Sequence, residues 1–266
     1  MNKKEMTKKH LITCSVIFVL VIISTLNIYS VMASKKTDVP VIKPANTVPA
    51  IAIKAVNYVP KNIIAENDFS FANEALPINY ASVKRKLAHS LIKHDFKNVH
   101  SNILQIKAGQ LFPIIEPILR AYGIPDDFKY LAIVESGFGE GTSSRGAKGV
   151  WQFMPGTART YGLKVGNGMD ERTNLRKSTV AACKYIKELY VEFNSWTLAA
   201  AAYNNGEIQI ERAISRQNED NYFLMHLNGE TAAYVYNIIA TKQIISQPGK
   251  YGYKVFLKPS ELFAYN

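Results

Sequence analysis

The chain has 266 residues, 47% of them hydrophobic, which suits one ordinary domain with an N-terminal extra and excludes a chain disordered as a whole. Its formal net charge of +11 is uneven: residues 1–66 hold nine lysines and three acids, so the excess gathers at the N-terminus. A nucleic-acid interface needs basic residues clustered on one face, and no such cluster marks the remainder, so no nucleic acid is expected as a partner. Cys14 lies in an apolar run and Cys183 in a helical pattern, and no disulfide is expected between them.

Residues 1–10 carry Lys3, Lys4, Lys8 and Lys9, and an apolar run follows from Leu11 to Met32. A basic start before an apolar run is an export signal that leaves the lysines in the cytoplasm. Two readings of residues 1–33 stand open. Val31-Met32-Ala33 offers a cleavage site for a signal peptide, whereas a run of roughly 20 residues is also long enough to stay as a membrane anchor through residues 11–32. Either one exports the rest of the chain, to the periplasm or to the outer face of the cytoplasmic membrane. Residues 34–76 contain Pro40, Pro44, Pro49 and Pro60, which break helix and central strand, and read as a linker with some extended pieces.

Residues 77–247 are helical in pattern, so the expected fold class is mainly α. Leu87, Leu91 and Val99 open it at helical spacing. A helix over Gln110–Tyr122 is closed by Gly123, and Pro113 and Pro117 cost it hydrogen bonds or delay its start. Ile124-Pro125-Asp126-Asp127 begins the next helix, with a proline in the first turn and two acids that complement the helix dipole. Phe128, Leu131, Ala132 and Glu135 recur there at i, i+3, i+4 and i+7, so Glu135 falls on the apolar face at the C-terminal end. A glycine-rich turn follows Glu135-Ser136-Gly137, and a second helix start is expected across Gly149–Pro155. Further helices are expected over Leu175–Phe193, Trp196–Tyr203, Glu207–Ser215 and Gly229–Ser246. Residues 248–266 form an aromatic tail without helical period.

The stretch from Asp126 to Gly162 carries the chemistry. It offers one glutamate at a helix end beside an apolar and aromatic wall, Trp151-Gln152-Phe153-Met154, with an amide in it. Burial against apolar groups and the negative end of a helix dipole both disfavour a carboxylate, which keeps an acid protonated near neutral pH. Trp151 and Phe153 read as core, whereas a neutral amide in the same block needs hydrogen-bond partners. Gly146 and Gly149 permit a tight turn.

These residues also resemble a known family, the lytic transglycosylases of the soluble and membrane-bound D type, whose lysozyme-like fold is shared with goose-type lysozymes. The matching blocks are Glu135-Ser136, then Gly146-x-x-Gly149-x-Trp151-Gln152-Phe153-Met154-Pro155-x-Thr157-Ala158, then Ala202-Tyr203-Asn204-Asn205-Gly206, and last Glu230-Thr231 with Tyr234-Val235. They stand in the family's order and cover residues from about 85 to 246. Two departures are small: Asn205 stands where many relatives have Ala or Ser, and Tyr236 follows Tyr234-Val235 where relatives often have proline.

The resemblance implies a peptidoglycan lytic transglycosylase with Glu135 as its catalytic acid. It implies that Gln152 and Met154 line the nearest sugar subsites and that Ser136 orients substrate or acid. Tyr203 would lie close to the acid, Asn204 would help hold sugar or acid, and Tyr234 would close the cleft. Glu140, Asp170 and Glu207 are available carboxylates, but none matches a second-acid position of the family. A single acid would therefore cut the MurNAc–GlcNAc bond and leave a 1,6-anhydro ring, with no metal and no cofactor. Peptidoglycan glycan strands are the expected partner. A water-using muramidase on the same scaffold, or a peptidoglycan-binding scaffold without catalysis, are the alternatives.

Overall fold

The computed structural model describes residues 69–137 and 142–254, all within one compact unit, Tyr58–Asn266. The expected signal or anchor segment, residues 34–68 of the linker, Glu140 and the end of the tail lie outside the described residues.

The described part is mainly helical. A two-residue hairpin, β1 (Ser70–Phe71) with β2 (Glu74–Ala75), precedes helices α1 (Ala81–His94), α2 (Phe96–Val99), α3 (Ile103–Tyr122) and α4 (Phe128–Ser136). A short α5 (Pro155–Thr160) leads to a second hairpin, β3 (Val165–Gly166) with β4 (Met169–Asp170), and to a 3-10 turn over Glu171–Thr173. Helices α6 (Leu175–Phe193), α7 (Trp196–Asn205), α8 (Glu207–Gln217) and α9 (Gly229–Ser246) follow, with a 3-10 turn at Pro248–Tyr251.

Two helices sit at the centre for different reasons. In α7 the run Ala199–Ala202 is wholly buried, and its small side chains let α6, α8 and α9 approach closely. Helix α9 buries residues around most of its circumference, among them Tyr234, Val235, Tyr236, Ile238, Ile239 and Ile244, as a core helix must. It packs against α1, α3, α4 and α7.

Three differences from the sequence reading have physical causes. Helix α3 starts at Ile103, well before Gln110, and runs through both prolines. Pro113 and Pro117 are exposed and one helical turn apart, so the carbonyls they leave unpaired lie on a solvated face where water can take them. Ile115 and Leu119 on the opposite side are buried and hold the helix in place. Secondly, residues 69–76, read as the end of the linker, pack into the core. Phe69, Phe71 and Leu76 are buried, and the Phe71 ring meets Phe128 edge-on at 5.0 Å. Thirdly, Tyr251 and Tyr253 of the expected tail are buried, with the Tyr253 hydroxyl donating to the His94 carbonyl at 2.6 Å.

The hairpin is joined to the core by charge as well. The Glu74 carboxylate accepts from the backbone N–H of Trp196 and Thr197 and from the hydroxyls of Ser195 and Thr197, at 2.5–3.0 Å. It caps the first turn of α7, where unpaired N–H groups and the positive end of the dipole favour an anion. Glu74→Ala is expected to lower stability by about 2 kcal/mol. In urea unfolding this reads as a lower midpoint at unchanged slope, partly restored by Glu74→Gln.

Candidate active site

Helix α4 brings Glu135 to the floor of a cleft of about 930 Å³. Phe128, Leu131 and Ala132 are buried as their spacing predicts, and Tyr130 and Ile133 are buried too. Glu135 itself is half-buried, crowded by protein but open to the cleft. Burial raises its pKa to about 7, and the nearby Glu230 carboxylate pushes in the same direction. The Tyr234 hydroxyl, from α9, donates to Glu135 Oε1 and opposes part of that rise. Burial, reinforced by the charge of Glu135, holds the phenols of Tyr203 and Tyr234 well above their usual range, so both remain hydroxyl donors.

The end of α4 is tied down by a buried lysine. Lys107 of α3 donates to the Gly137 carbonyl at 2.6 Å and to the Ser136 carbonyl and hydroxyl at 3.4 Å each. It thereby satisfies carbonyls that a helix end leaves over. The Ser136 hydroxyl donates to the Ile133 carbonyl at 3.0 Å, so it is engaged with the helix end rather than with Glu135.

The opposite wall is a clamped loop. Lys148 and Phe153 exchange backbone hydrogen bonds at 3.1 and 3.2 Å, closing a tight turn over Gly149–Gln152. The helix expected to start within this block begins only at Pro155. Arg172 is buried behind the turn: its guanidinium donates to the carbonyls of Gly146 at 2.7 Å and Phe153 at 2.9 Å. Both Asp170 oxygens accept from the same guanidinium, which holds the Asp170 carboxyl well below the usual range. A Cβ on Gly149, whose φ is +80°, would stand 2.0 Å from the Arg172 carbonyl oxygen, so only glycine fits. Gln152 takes φ +44°, a left-handed conformation rare for non-glycine residues, and its side-chain amide donates to the Gly149 carbonyl at 2.9 Å. Trp151 and Phe153 are core, the Trp151 ring N–H donating to Thr179 Oγ1 at 2.9 Å. Met154 is 43% exposed and lines the cleft beside Gln152.

Helix α7 joins the walls. The Tyr203 hydroxyl donates to the Trp151 carbonyl at 2.7 Å, fixing the loop against the helix. The Asn204 side chain donates to Glu230 Oε1 at 3.3 Å and accepts from the Thr231 hydroxyl at 3.1 Å. Glu135, Gln152, Met154, Tyr203, Asn204 and Tyr234 thus line one cleft.

Sequence reasoning missed the second carboxylate of that cleft. Asp170 is consumed by Arg172, Glu207 lines a different pocket, and among the described residues the carboxylate that joins Glu135 in the cleft is Glu230. The signal was available: Glu230 and Tyr234 are four apart, hence on one face of α9. Among the described residues, no group of three or more His, Cys, Asp or Glu side chains is placed to hold a metal ion.

The raised pKa of Glu135 has a consequence for stability. A carboxyl whose folded pKa lies above its unfolded value binds more protons in the native state between the two values, so stability falls as pH rises from about 4.5 to about 7. Glu135→Gln cannot ionise and keeps an oxygen to accept from Tyr234. It is expected to be the more stable protein at pH 8, by on the order of 3 kcal/mol, and to lose that advantage below pH 4.5. Urea unfolding of both proteins across this range checks it.

Comparison with known proteins follows the same residues. The transglycosylase SLT domain family matches residues 113–226. Glu135, Gln152, Met154, Tyr203 and Asn204 lie inside that interval, while Glu230 and Tyr234 lie just beyond it. The chain is 35% identical over 138 residues to the membrane-bound lytic murein transglycosylase D of Escherichia coli K12, and equally to the protein of that name from E. coli O6:H1. The alignment takes in 50% of this chain and spans 30% of the length of each relative. Residues 113–226 of this chain are therefore similar to the transglycosylase SLT domain family.

Proposed function

We propose that the protein is a peptidoglycan lytic transglycosylase with a lysozyme-like, goose-type catalytic domain. That domain ends near residue 247 and follows a signal peptide or membrane anchor over residues 1–33 and a linker. The observation that carries the reading is Glu135, a carboxyl held at a pKa of about 7 on the floor of a cleft large enough for several sugar rings. The family match and the names of the relatives support the same substrate class. A periplasmic or outer-face location fits both the substrate and the N-terminal segment. Among the described residues no helix is long and apolar enough to cross a membrane.

The chemistry follows from one group that is half-protonated near neutral pH. The Glu135 carboxyl gives its proton to the glycosidic oxygen between N-acetylmuramic acid and N-acetylglucosamine. The C1–O bond breaks and the N-acetylglucosamine side leaves as a hydroxyl. The muramyl acetamido oxygen shares the positive charge that develops at C1. Glu135, now a carboxylate, takes the proton from the C6 hydroxyl, O6 bonds to C1, and the 1,6-anhydro ring closes. The acid is regenerated and no water is consumed. Tyr234, donating to Glu135, steadies its carboxylate form in the second half. Gln152, Met154, Tyr203 and Asn204 would hold the sugars against it.

Peptidoglycan digested by the full chain is expected to yield muropeptides ending in 1,6-anhydromuramic acid on mass spectrometry, and none with Glu135→Gln. Activity should fall about tenfold per pH unit above pH 7, as Glu135 loses the proton the first step needs. No products from the wild-type chain, with binding retained, would sink the catalytic reading.

Glu230 favours a second reading. A carboxylate in the same cleft as the acid is what a hydrolytic muramidase requires as base or nucleophile. The two readings predict different outcomes for Glu230→Gln. In a transglycosylase the change removes a negative neighbour, lowers the Glu135 pKa and moves the alkaline limb of the pH profile to lower pH, with activity retained at its new optimum. In a muramidase activity is lost at every pH, and the wild-type products are one water heavier.

A further inference from the structure

A second pocket, of about 470 Å³, lies next to the cleft and has no part in the chemistry above. Tilted tyrosine rings in contact link the two: Tyr203 lines the cleft, and its ring lies 5.2 Å from that of Tyr185, which lines the second pocket. Tyr161 continues the ladder, 4.9 Å from Tyr185 and tilted by 32°. The chain passes directly from one site to the other, since Asn204 borders the cleft and Asn205 the pocket.

The pocket combines aromatic walls with two carboxylates. Glu188 on α6 accepts from the Tyr161 hydroxyl at 2.9 Å, which fixes that ring, and Glu207 comes from the first turn of α8. Among the described residues the pocket is lined by no lysine, arginine or histidine, and neither glutamate forms an ion pair. The negative field extends beyond the walls: burial and the carboxylates of Glu211, Glu207 and Glu188 raise the neighbouring Glu192 to about 7. Burial and the same glutamates keep the Tyr161 and Tyr185 phenols neutral.

This wall chemistry selects among ligands. An anion is repelled, whereas a neutral sugar can donate hydroxyls to the carboxylates but leaves their charge uncompensated. A primary ammonium compensates the charge of both carboxylates, and its three N–H donors suit the carboxylate and amide oxygens that line the pocket. We propose that the Tyr161–Tyr185–Glu188–Glu207 pocket binds a primary ammonium group borne by the strand that occupies the cleft. The inference rests on the proposed peptidoglycan substrate, which can present such a group in two ways: on the side chain of a diamino acid in the stem peptide, or on a glucosamine lacking its acetyl group.

Calorimetric titration of the full chain carrying Glu135→Gln, in neutral detergent, tests this with paired probes. One pair is the Nα-acetylated tripeptide L-Ala-γ-D-Glu-L-Lys and its Nα,Nε-diacetylated form. The other is a glucosamine tetrasaccharide and its fully N-acetylated form. At least one amine-bearing probe is expected to bind more tightly than its acetylated twin, and which one does so identifies the source. Adding Glu188→Gln and Glu207→Gln should weaken that binding about tenfold, and raising sodium chloride from low to high concentration should weaken it too. Glu188→Gln keeps an oxygen for the Tyr161 hydroxyl, and unchanged melting of the doubly altered protein, with Glu135 intact and still cutting glycan free of amines, shows that fold and cleft are preserved. Equal affinity for the amine and acetylated probes, or indifference to the two substitutions, would overturn the proposal. Absence of anhydro products from the wild-type chain would instead overturn the proposed function.

Discussion

A carboxyl group placed among apolar atoms at the negative end of a helix must be neutral, or hydrogen-bonded, or costly. Glu135 meets that condition through its surroundings rather than through any feature of its own turn. Burial and the Glu230 carboxylate favour the protonated form, while the Tyr234 hydroxyl supports the charged one. The balance leaves the group near pH 7, where it can both give and take a proton. Each of these influences comes from α9, or from packing that α9 completes, which explains why a helix so late in the chain occupies the centre of the fold.

The rest of the domain makes that environment rigid. Lys107 holds the carbonyls at the end of α4, Arg172 holds the turn opposite, and the Tyr203 hydroxyl ties that turn to α7. Glu74 then anchors the start of α7 from the N-terminal hairpin. Four elements distant in sequence are thereby joined through charged or hydroxyl groups bonded to backbone atoms. Such bonds specify position more sharply than apolar contact does, because they depend on direction as well as distance. The left-handed backbone of Gln152 and the glycine required at 149 are the local strain and the local exemption that this clamping entails.

The electrostatics divide the surface by task. The chain as a whole is basic, with the excess near its N-terminus, yet the walls of the second pocket are acidic and aromatic. The cleft has cations at its rim, Lys93 and Arg145, and carboxylates within. A substrate carrying carboxylates, amines and neutral sugars along one strand would meet a different chemistry at each of these places. Cys183 is buried and its thiol is pushed up to about 12 by that burial, so it behaves as a small apolar side chain.

Much of the fold is legible in the sequence. The helices Leu175–Phe193 and Gly229–Ser246 have the bounds their patterns predict, because caps and turn residues act locally: Asn174 and Asn228 accept from the third residue beyond, and Asn194 adopts the left-handed conformation that ends a helix. The position of Glu135 on the apolar face of α4 followed from spacing alone. Long-range packing decided the remainder. Helix α3 continues through two prolines because its other side is buried, and the hairpin joins the core because Phe71 finds Phe128 and Glu74 finds the start of α7. Glu230 becomes a cleft residue only when α9 crosses α4. Local sequence determines what each segment can be, since backbone geometry and capping are settled within a few residues. Tertiary structure alone decides which charges meet and what surrounds them, and here that includes the proton affinity of Glu135.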